Sequence, residues 1–413
     1  MCKYLTLLMI SLLFLKCGEI KEDQGVLTGA ERLVNEEFKS IVNLRVGLIT
    51  NHTGTVGGKH LSELIYKSEN VELTTLFGPE HGIRGDAPAG ARIDDDVDEQ
   101  TGVPIFSLYG DVRKPTPEML ENVDILIYDI QDVGARFYTR LSIMGYAMQA
   151  AADKGIPFLV LDRPNPLGGE LVEGFILEKG YESFVGLYPI PVVYGLTVAE
   201  LATMIKGERM LDGLENLDLR VIQMQGWHRS MYWKDMIRKW NATSPNIPDF
   251  KTALIYPGSC FFEGTIASEG RGTYEPFKIV GAPWINPEKL ADELNSRDIA
   301  GVKFEPVSFT PISIDGMAIN PKFENEEIHG VRYLISDVTS VRPVQAGIHL
   351  LDAFLQQSPD KVKFFHEERI ERLAGTSVLH SMLLDGKTSQ EIIKSWSNDV
   401  EDFIDMREKY LLY

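Results

Sequence analysis

Four short apolar runs, each broken by a cluster of turn-forming residues, recur through the first half of the chain. Residues 45–50 (RVGLIT) stop at Asn51-His52-Thr53-Gly54, and residues 71–77 (VELTTLF) stop at Gly78-Pro79-Glu80-His81-Gly82. Residues 123–129 (VDILIYD) run into a polar loop, and residues 157–162 (PFLVLD) stop at Arg163-Pro164-Asn165-Pro166. Runs of this length, rich in β-branched residues and bounded by Gly, Pro and Asn, read as strands. Helical periodicity occupies 57–68, 142–154 and 197–210. Strands that are apolar along nearly their whole length are buried on both faces, which requires a parallel sheet covered by helices. The pattern predicts an α/β chain whose N-terminal subdomain is Rossmann-like with a mostly parallel sheet. Ligands of such sheets bind beyond the carboxyl ends of the strands, so the loops after these four runs are expected to share one site.

Beyond residue 210 the pattern changes. A strand-like run at 217–224, a helix at 287–296, strands at 302–311 and 331–337, and helices at 344–356 and 389–411 alternate with loops punctuated by Gly and Pro. This mixture predicts a C-terminal α+β subdomain over 211–413, following a first subdomain over 29–210. At the other end, Lys3 precedes an apolar stretch at 5–15 with the length of a signal-peptide core. Leu15-Lys16-Cys17-Gly18 resembles a bacterial lipoprotein cleavage box, departing from it at Lys16, where a small residue is usual. The expectation is a signal peptide over 1–17, lipidation of Cys17, a tether over 18–28, and a periplasmic or cell-surface protein anchored in the membrane.

Composition narrows the function. The 413 residues carry 41 Lys plus Arg against 60 Asp plus Glu, a net charge of −19, so the surface repels polyanions and nucleic acid is not an expected partner. Cys2 leaves with the signal, which leaves Cys17 and Cys260 and no disulfide framework within the chain. The turn after the first run lacks the G-x-G-x-x-G that cradles a dinucleotide, the eight histidines form no H-x-x-x-H pair, and no G-x-S-x-G elbow is present. Neither a cofactor nor a metal is predicted.

The polar chemistry concentrates in four glycine-flanked loops. FGPEHGIRGDAPA (77–89) offers Glu80, His81 and Arg84 as proton donor, hydrogen-bond partner and cation. DIQDVGARFYTR (129–140) sets Asp129 at a strand end; a helix starting near Val133 would let Asp132 cap it and project Arg136, Tyr138 and Arg140 toward the cleft. LDRPNPLGGELVE (161–173) holds Asp162 at a strand end and Asn165 between two prolines, which reduce the entropy lost on ordering the loop. FEGTIASEGRGT (262–273) brings Glu263, Glu269 and Arg271 into one Gly-rich stretch, with aromatic residues near in sequence that suit the C–H faces of a sugar. Asn51 joins this set as the first polar residue after the first strand. Each of these loops is also compatible with charges that pair among themselves.

FGPEHGIRGDAPAG, SLYGDVRKPT (107–116), DIQDVGARFYT, LDRPNPLGG, YGLTVAELA (194–202), SPNIP (244–248), YPGSCFFEGT, SEGRGT and GAPW (281–284) occur in that order. Together they resemble the NamZ-like exo-β-N-acetylmuramidases, from about residue 40 to the C-terminus; NEEIHGV (325–331) departs from them in lacking a cysteine that many relatives carry. The resemblance implies a Rossmann-like N-terminal subdomain, a C-terminal α+β subdomain and an active cleft between them. It also implies a peptidoglycan-derived substrate with N-acetylmuramic acid at its non-reducing end. Glycoside cleavage needs a general acid and a group that stabilises an oxocarbenium-like centre. Glu80 is then the leading acid. Asp129 or Glu269 would orient the substrate's own acetamido group or activate a water. Arg84, Arg136 and Arg271 are the candidate readers of the D-lactyl carboxylate. Asn51, His81, Asp132, Tyr138, Asp162, Asn165 and Glu263 are expected to line the site. The rival reading is a lipoprotein that binds wall fragments without cleaving them.

Overall fold

A computed structural model describes residues 25–80, 82–85 and 96–413 of the protein. The expected signal peptide, Cys17, most of the expected tether, and His81 lie outside the described residues.

Six parallel strands form the first sheet: Arg45–Thr50, Glu72–Gly78, Pro104–Ser107, Ile125–Asp129, Phe158–Leu161 and Leu219–Ile222. Numbered along the chain, they lie across the sheet in the order 3-2-1-4-5-6, and the short strand Asp96–Val97 adds antiparallel to strand 3. This is the doubly wound order in which the winding reverses between strands 1 and 4, opening a crevice beyond their carboxyl ends. The four apolar runs supply strands 1, 2, 4 and 5. Strand 3 escaped the pattern because it sits near an edge, starts at Pro104 and is only part-buried there. Strand 6 falls in the stretch read as the start of the second half, yet it pairs with strand 5, so the first sheet extends past residue 210.

The helix after strand 4 spans Arg140–Lys154, not a segment starting near Val133; residues 133–139 are an irregular loop that turns at Gly134 with φ +81°. The helix Val198–Gly207 starts at a capping box in which the Thr197 hydroxyl and the Glu200 carboxylate satisfy each other's backbone N–H groups.

The second half is built on an antiparallel sheet with Ile328–Ile335 between Ile279–Ala282 and Val302–Phe309, covered by helices Pro287–Ser296 and Pro343–Gln357. The fold class is therefore the expected α/β, with an α+β second part. Helix Phe250–Ser259 was not expected, because Pro257 and Gly258 read as breakers. They lie in its last turn, where Gly258 meets Gly347 so closely that a Cβ on Gly347 would stand 2.5 Å from the Gly258 Cα. The expected helix over 389–411 is broken at Trp396 into Ser389–Ser395 and Ser397–Arg407.

One apolar core joins the halves. Val133, Phe137, Leu167, Phe175 and Val193 from the loops of the first sheet are buried in the same cluster as Tyr256, Phe261, Phe277, Val344 and Phe354. A shared core of this kind resists hinge motion, so the loops that project between the halves form two fixed walls.

Candidate active site

Between those walls lies a cavity of about 490 Å³, within the size range of a small-ligand site. Its first wall carries Glu80, Tyr109, Tyr138 and Arg140, and its second carries Glu263, Glu269, Arg271, Lys322 and Arg369. Glu80 reaches it from the loop after strand 2, where Gly82 N–H donates to the Pro79 carbonyl at 2.9 Å and closes the turn. Tyr109 follows strand 3, Tyr138 donates to the Thr243 carbonyl at 2.8 Å, and Arg140 is the first residue of its helix. Glu80 and Glu269, far apart in the chain, thus face one space.

The charges of this space are unevenly committed. Glu263 accepts from Arg271 and Arg369, both at 2.8 Å. Burial alone would raise its pKa, but the two guanidinium groups outweigh that and hold it well below the usual carboxylate range. Glu269 accepts from Lys322 at 2.9 Å and lies 3.5 Å from the Arg271 Nε. Lys322 is completed by the carbonyls of Phe262 and Ala267, each at 2.8 Å. On the facing wall the Tyr109 hydroxyl hydrogen-bonds to Glu80. Burial first, then the Glu80 charge and that bond, push the phenol up to about 12, so it stays protonated and donates. The Glu80 Oε2 lies 4.0 Å from the Arg140 Nη1. Among the described residues, four cations against three carboxylates line this cavity in a chain of net charge −19, a setting that favours an anionic ligand.

Several expected site residues are placed elsewhere, for a common reason. The crevice between strands 1 and 4 is filled by its own side chains. Asp129, fully buried, receives both Nε and Nη2 of Arg163, at 2.6 and 2.9 Å. Asn51 Oδ1 accepts from the Thr53 backbone and hydroxyl, Thr53 Oγ1 accepts from Gln131 N, and Gln131 Nε2 donates to the carbonyls of Asp132 and Pro164. The polar strand ends here satisfy one another instead of lining the cavity. Asp132 caps no helix: it accepts from Gly134 N and from the Tyr194 hydroxyl, and burial raises it to about 6 against those bonds.

Arg136 is a structural cation. It donates to the carbonyls of Phe175 (2.6 Å), Ile190 (2.7 Å), Leu373 (3.0 Å) and Ala374 (2.6 Å), tying the first half to the helix Glu367–Ala374, and burial lowers its pKa to about 9. Arg84 is held by Asp98 at 2.6 Å and Glu63 at 3.7 Å, away from the cavity wall. Asp162 accepts from Ala199 N, the Thr197 hydroxyl and the Tyr413 hydroxyl, which fastens the C-terminus over strand 5; burial raises it to about 7 despite these donors. Asn165 shapes its own loop by accepting from Leu167 N and donating to the Leu196 carbonyl. Of the expected residues that are described, Glu80, Tyr138, Arg140, Glu263, Glu269 and Arg271 line the cavity.

Other lining residues went unselected. Tyr109 and Asn246 stand in SLYGDVRKPT and SPNIP, segments that carried the resemblance but offered no strand-end signal. Asn246 is buried and donates to the Met317 carbonyl at 2.8 Å, while its Oδ1 has no partner among the described residues. Lys322 and Arg369 lie in stretches with no motif, brought to the cavity only by the tertiary fold. Outside the cavity, Glu367 and Glu371 of the helix Glu367–Ala374 and His380 of the helix Val378–Leu384 have ligand atoms within 4.8 Å of one another and could hold a cation.

Residues 46–251 match the family described as "Exo-beta-N-acetylmuramidase NamZ, N-terminal", and residues 254–413 match its C-terminal counterpart. The peptidoglycan beta-N-acetylmuramidase NamZ of Bacillus subtilis (strain 168) is 42% identical over 389 residues, 94% of this chain and 91% of the relative. Crystal structures of two DUF1343 family proteins from Bacteroides fragilis NCTC 9343 share the fold. One has a TM-score of 0.86 at 38% identity and the other 0.77 at 36%; each match covers 94% of this chain and 99% of the other.

Proposed function

The chain belongs to the exo-β-N-acetylmuramidase NamZ family, and from that premise we propose that Glu80 is the acid with which its cleft releases terminal N-acetylmuramic acid. The protein is a glycoside hydrolase acting on peptidoglycan-derived glycans. The observation that carries the assignment is the shared cavity, with Glu80 on one wall and the Glu263–Arg271–Glu269 cluster on the other.

In the proposed reaction the Glu80 carboxyl gives its proton to the glycosidic oxygen as the bond from that oxygen to C1 breaks. The Tyr109 hydroxyl, kept protonated, orients the carboxyl through its hydrogen bond. Glu269 keeps lone pairs beyond those used by Lys322 and Arg271, and orients either the substrate's acetamido group or a water toward C1. By the acetamido route Glu80 regains its proton from the water that opens the cyclic intermediate; by the direct route Glu269 takes the proton of the attacking water and Glu80 is reprotonated from solvent. Glu263, held ionised by two arginines, exchanges no proton and instead fixes Arg271 and Arg369 in the cavity wall.

The test is incubation with an aryl β-N-acetylmuramide in chelator, with no cofactor added. Release of the chromophore is the expected result; saturable binding with no release would leave a capture protein instead. The apolar segment 5–15 and Cys17 support the further reading that the enzyme is exported and held at a membrane by lipid. An unacylated Cys17 in the mature protein, seen by mass spectrometry, would count against it.

A further inference from the structure

We propose that Arg140 reads the lactyl carboxylate that distinguishes muramic acid from glucosamine. This rests on the hydrolase reading but concerns recognition, not the acid. Among the cavity's cations, Arg271, Arg369 and Lys322 are each bound to a carboxylate at 2.8–2.9 Å. The arginines expected to take this role are committed elsewhere: Arg84 to Asp98, and Arg136 to four backbone carbonyls.

Arg140 differs. Its side chain is 1% exposed, and its one hydrogen bond among the described residues runs from Nη2 to the Thr243 carbonyl at 3.1 Å. Among the described residues its Nε is buried without a partner, and the nearest carboxylate oxygen, on Glu80, stands off at 4.0 Å. The guanidinium carbon lies 4.9 Å from the centroid of the Tyr138 ring, a cation–π contact that helps hold it in place. A buried guanidinium with unmet donors is costly unless a ligand completes it, and its planar fork matches a carboxylate. The backbone reinforces the same charge. The helix Arg140–Lys154 begins here with no side-chain cap at Thr139, and both residues line the cavity, so the positive end of the helix faces the same space.

The location fits the sugar. In muramic acid the lactyl ether leaves C3 and the scissile oxygen leaves C1, with C2 alone between them. A reader of the first should therefore sit beside the acid that serves the second, as Arg140 sits beside Glu80. Asn246, with its free Oδ1 on the same cavity, is available to accept from the acetamido N–H on C2.

The experiment is direct calorimetric binding of N-acetylmuramic acid and of its uncharged lactyl amide, in the wild type, Arg140→Lys and Arg140→Met. A charge-assisted fork predicts that the wild type prefers the acid by about 10- to 100-fold. The preference should fall to roughly 1 in Arg140→Met and lie between in Arg140→Lys, which keeps charge without the fork. A wild type that binds acid and amide equally would overturn the proposal, and that comparison needs no variant to fold. So would an Arg140→Lys that folds, weakens both ligands alike and keeps the wild-type ratio, since Arg140 would then only position Glu80. The readout is affinity, so it stands apart from the assay for turnover: binding preference without turnover would sink the assigned chemistry and leave the reader in place.

Discussion

Glu80→Gln is expected to lower turnover of a β-N-acetylmuramide by about 10²- to 10⁴-fold, the span that a general acid contributes, while binding of N-acetylmuramic acid remains measurable. Glutamine keeps the volume and can still meet the Tyr109 hydroxyl, but it has no proton of suitable acidity to give to a leaving oxygen. The loss should depend on what leaves. An activated aryl group departs with little protonation, whereas the hydroxyl of a second sugar needs it, so the variant should lose more on a natural disaccharide than on the chromogenic substrate. Steady-state kinetics on both substrates, with calorimetry for the sugar, check the two halves of the expectation. Wild-type rates on the disaccharide would exclude Glu80 as the acid. An equal loss on both substrates would point instead to damage in binding or folding.

That dependence on one loop illustrates what the sequence made legible. Strand ends could be found from apolar runs and their terminators, and the doubly wound sheet follows from their near-continuous hydrophobicity. The polar residue after each strand could be found in the same way, and this is how Glu80 and Asp129 came to rank together. The difference between them is tertiary. The loop after strand 2 turns outward at Pro79 and Gly82, whereas the loops after strands 1, 4 and 5 fold inward and meet as Asn51, Thr53, Gln131, Asp129 and Arg163. A polar residue at a strand end has the same local signature whether it caps an internal crevice or faces a ligand. Arginines were ambiguous for the same reason. Arg136 and Arg140 are four apart in one motif, but an irregular loop, not a helix, separates them, so one is spent on backbone carbonyls and the other faces the cavity. Where chemistry depended on distant segments, as with Lys322 and Arg369 joining Glu269 and Glu263, no local pattern existed to read.

Arg163→Met is expected to be among the most destabilising single changes in the first half, and to leave the chemistry of the folded fraction nearly intact. The substitution strands the Asp129 carboxylate, which is fully buried and receives both Arg163 contacts, in a crevice closed to bulk solvent. Removing one partner of a buried ion pair typically costs about 3–5 kcal/mol, because the remaining charge keeps its desolvation penalty without its compensation. Replacing both, as Asp129→Leu with Arg163→Met, should recover much of that loss, since an apolar pair leaves no orphan charge. Denaturant unfolding of the single and double variants measures the recovery as a coupling free energy. Catalysis gives the opposing test. If Asp129 acted on substrate, Asp129→Asn would abolish turnover well below its unfolding temperature. If it only closes the crevice at the winding reversal, the same variant loses stability first, and its kcat/KM per folded molecule stays near that of the wild type. A dead but fully stable Asp129→Asn enzyme would return Asp129 to the active site and require the cleft to open further than the shared core of the two halves permits.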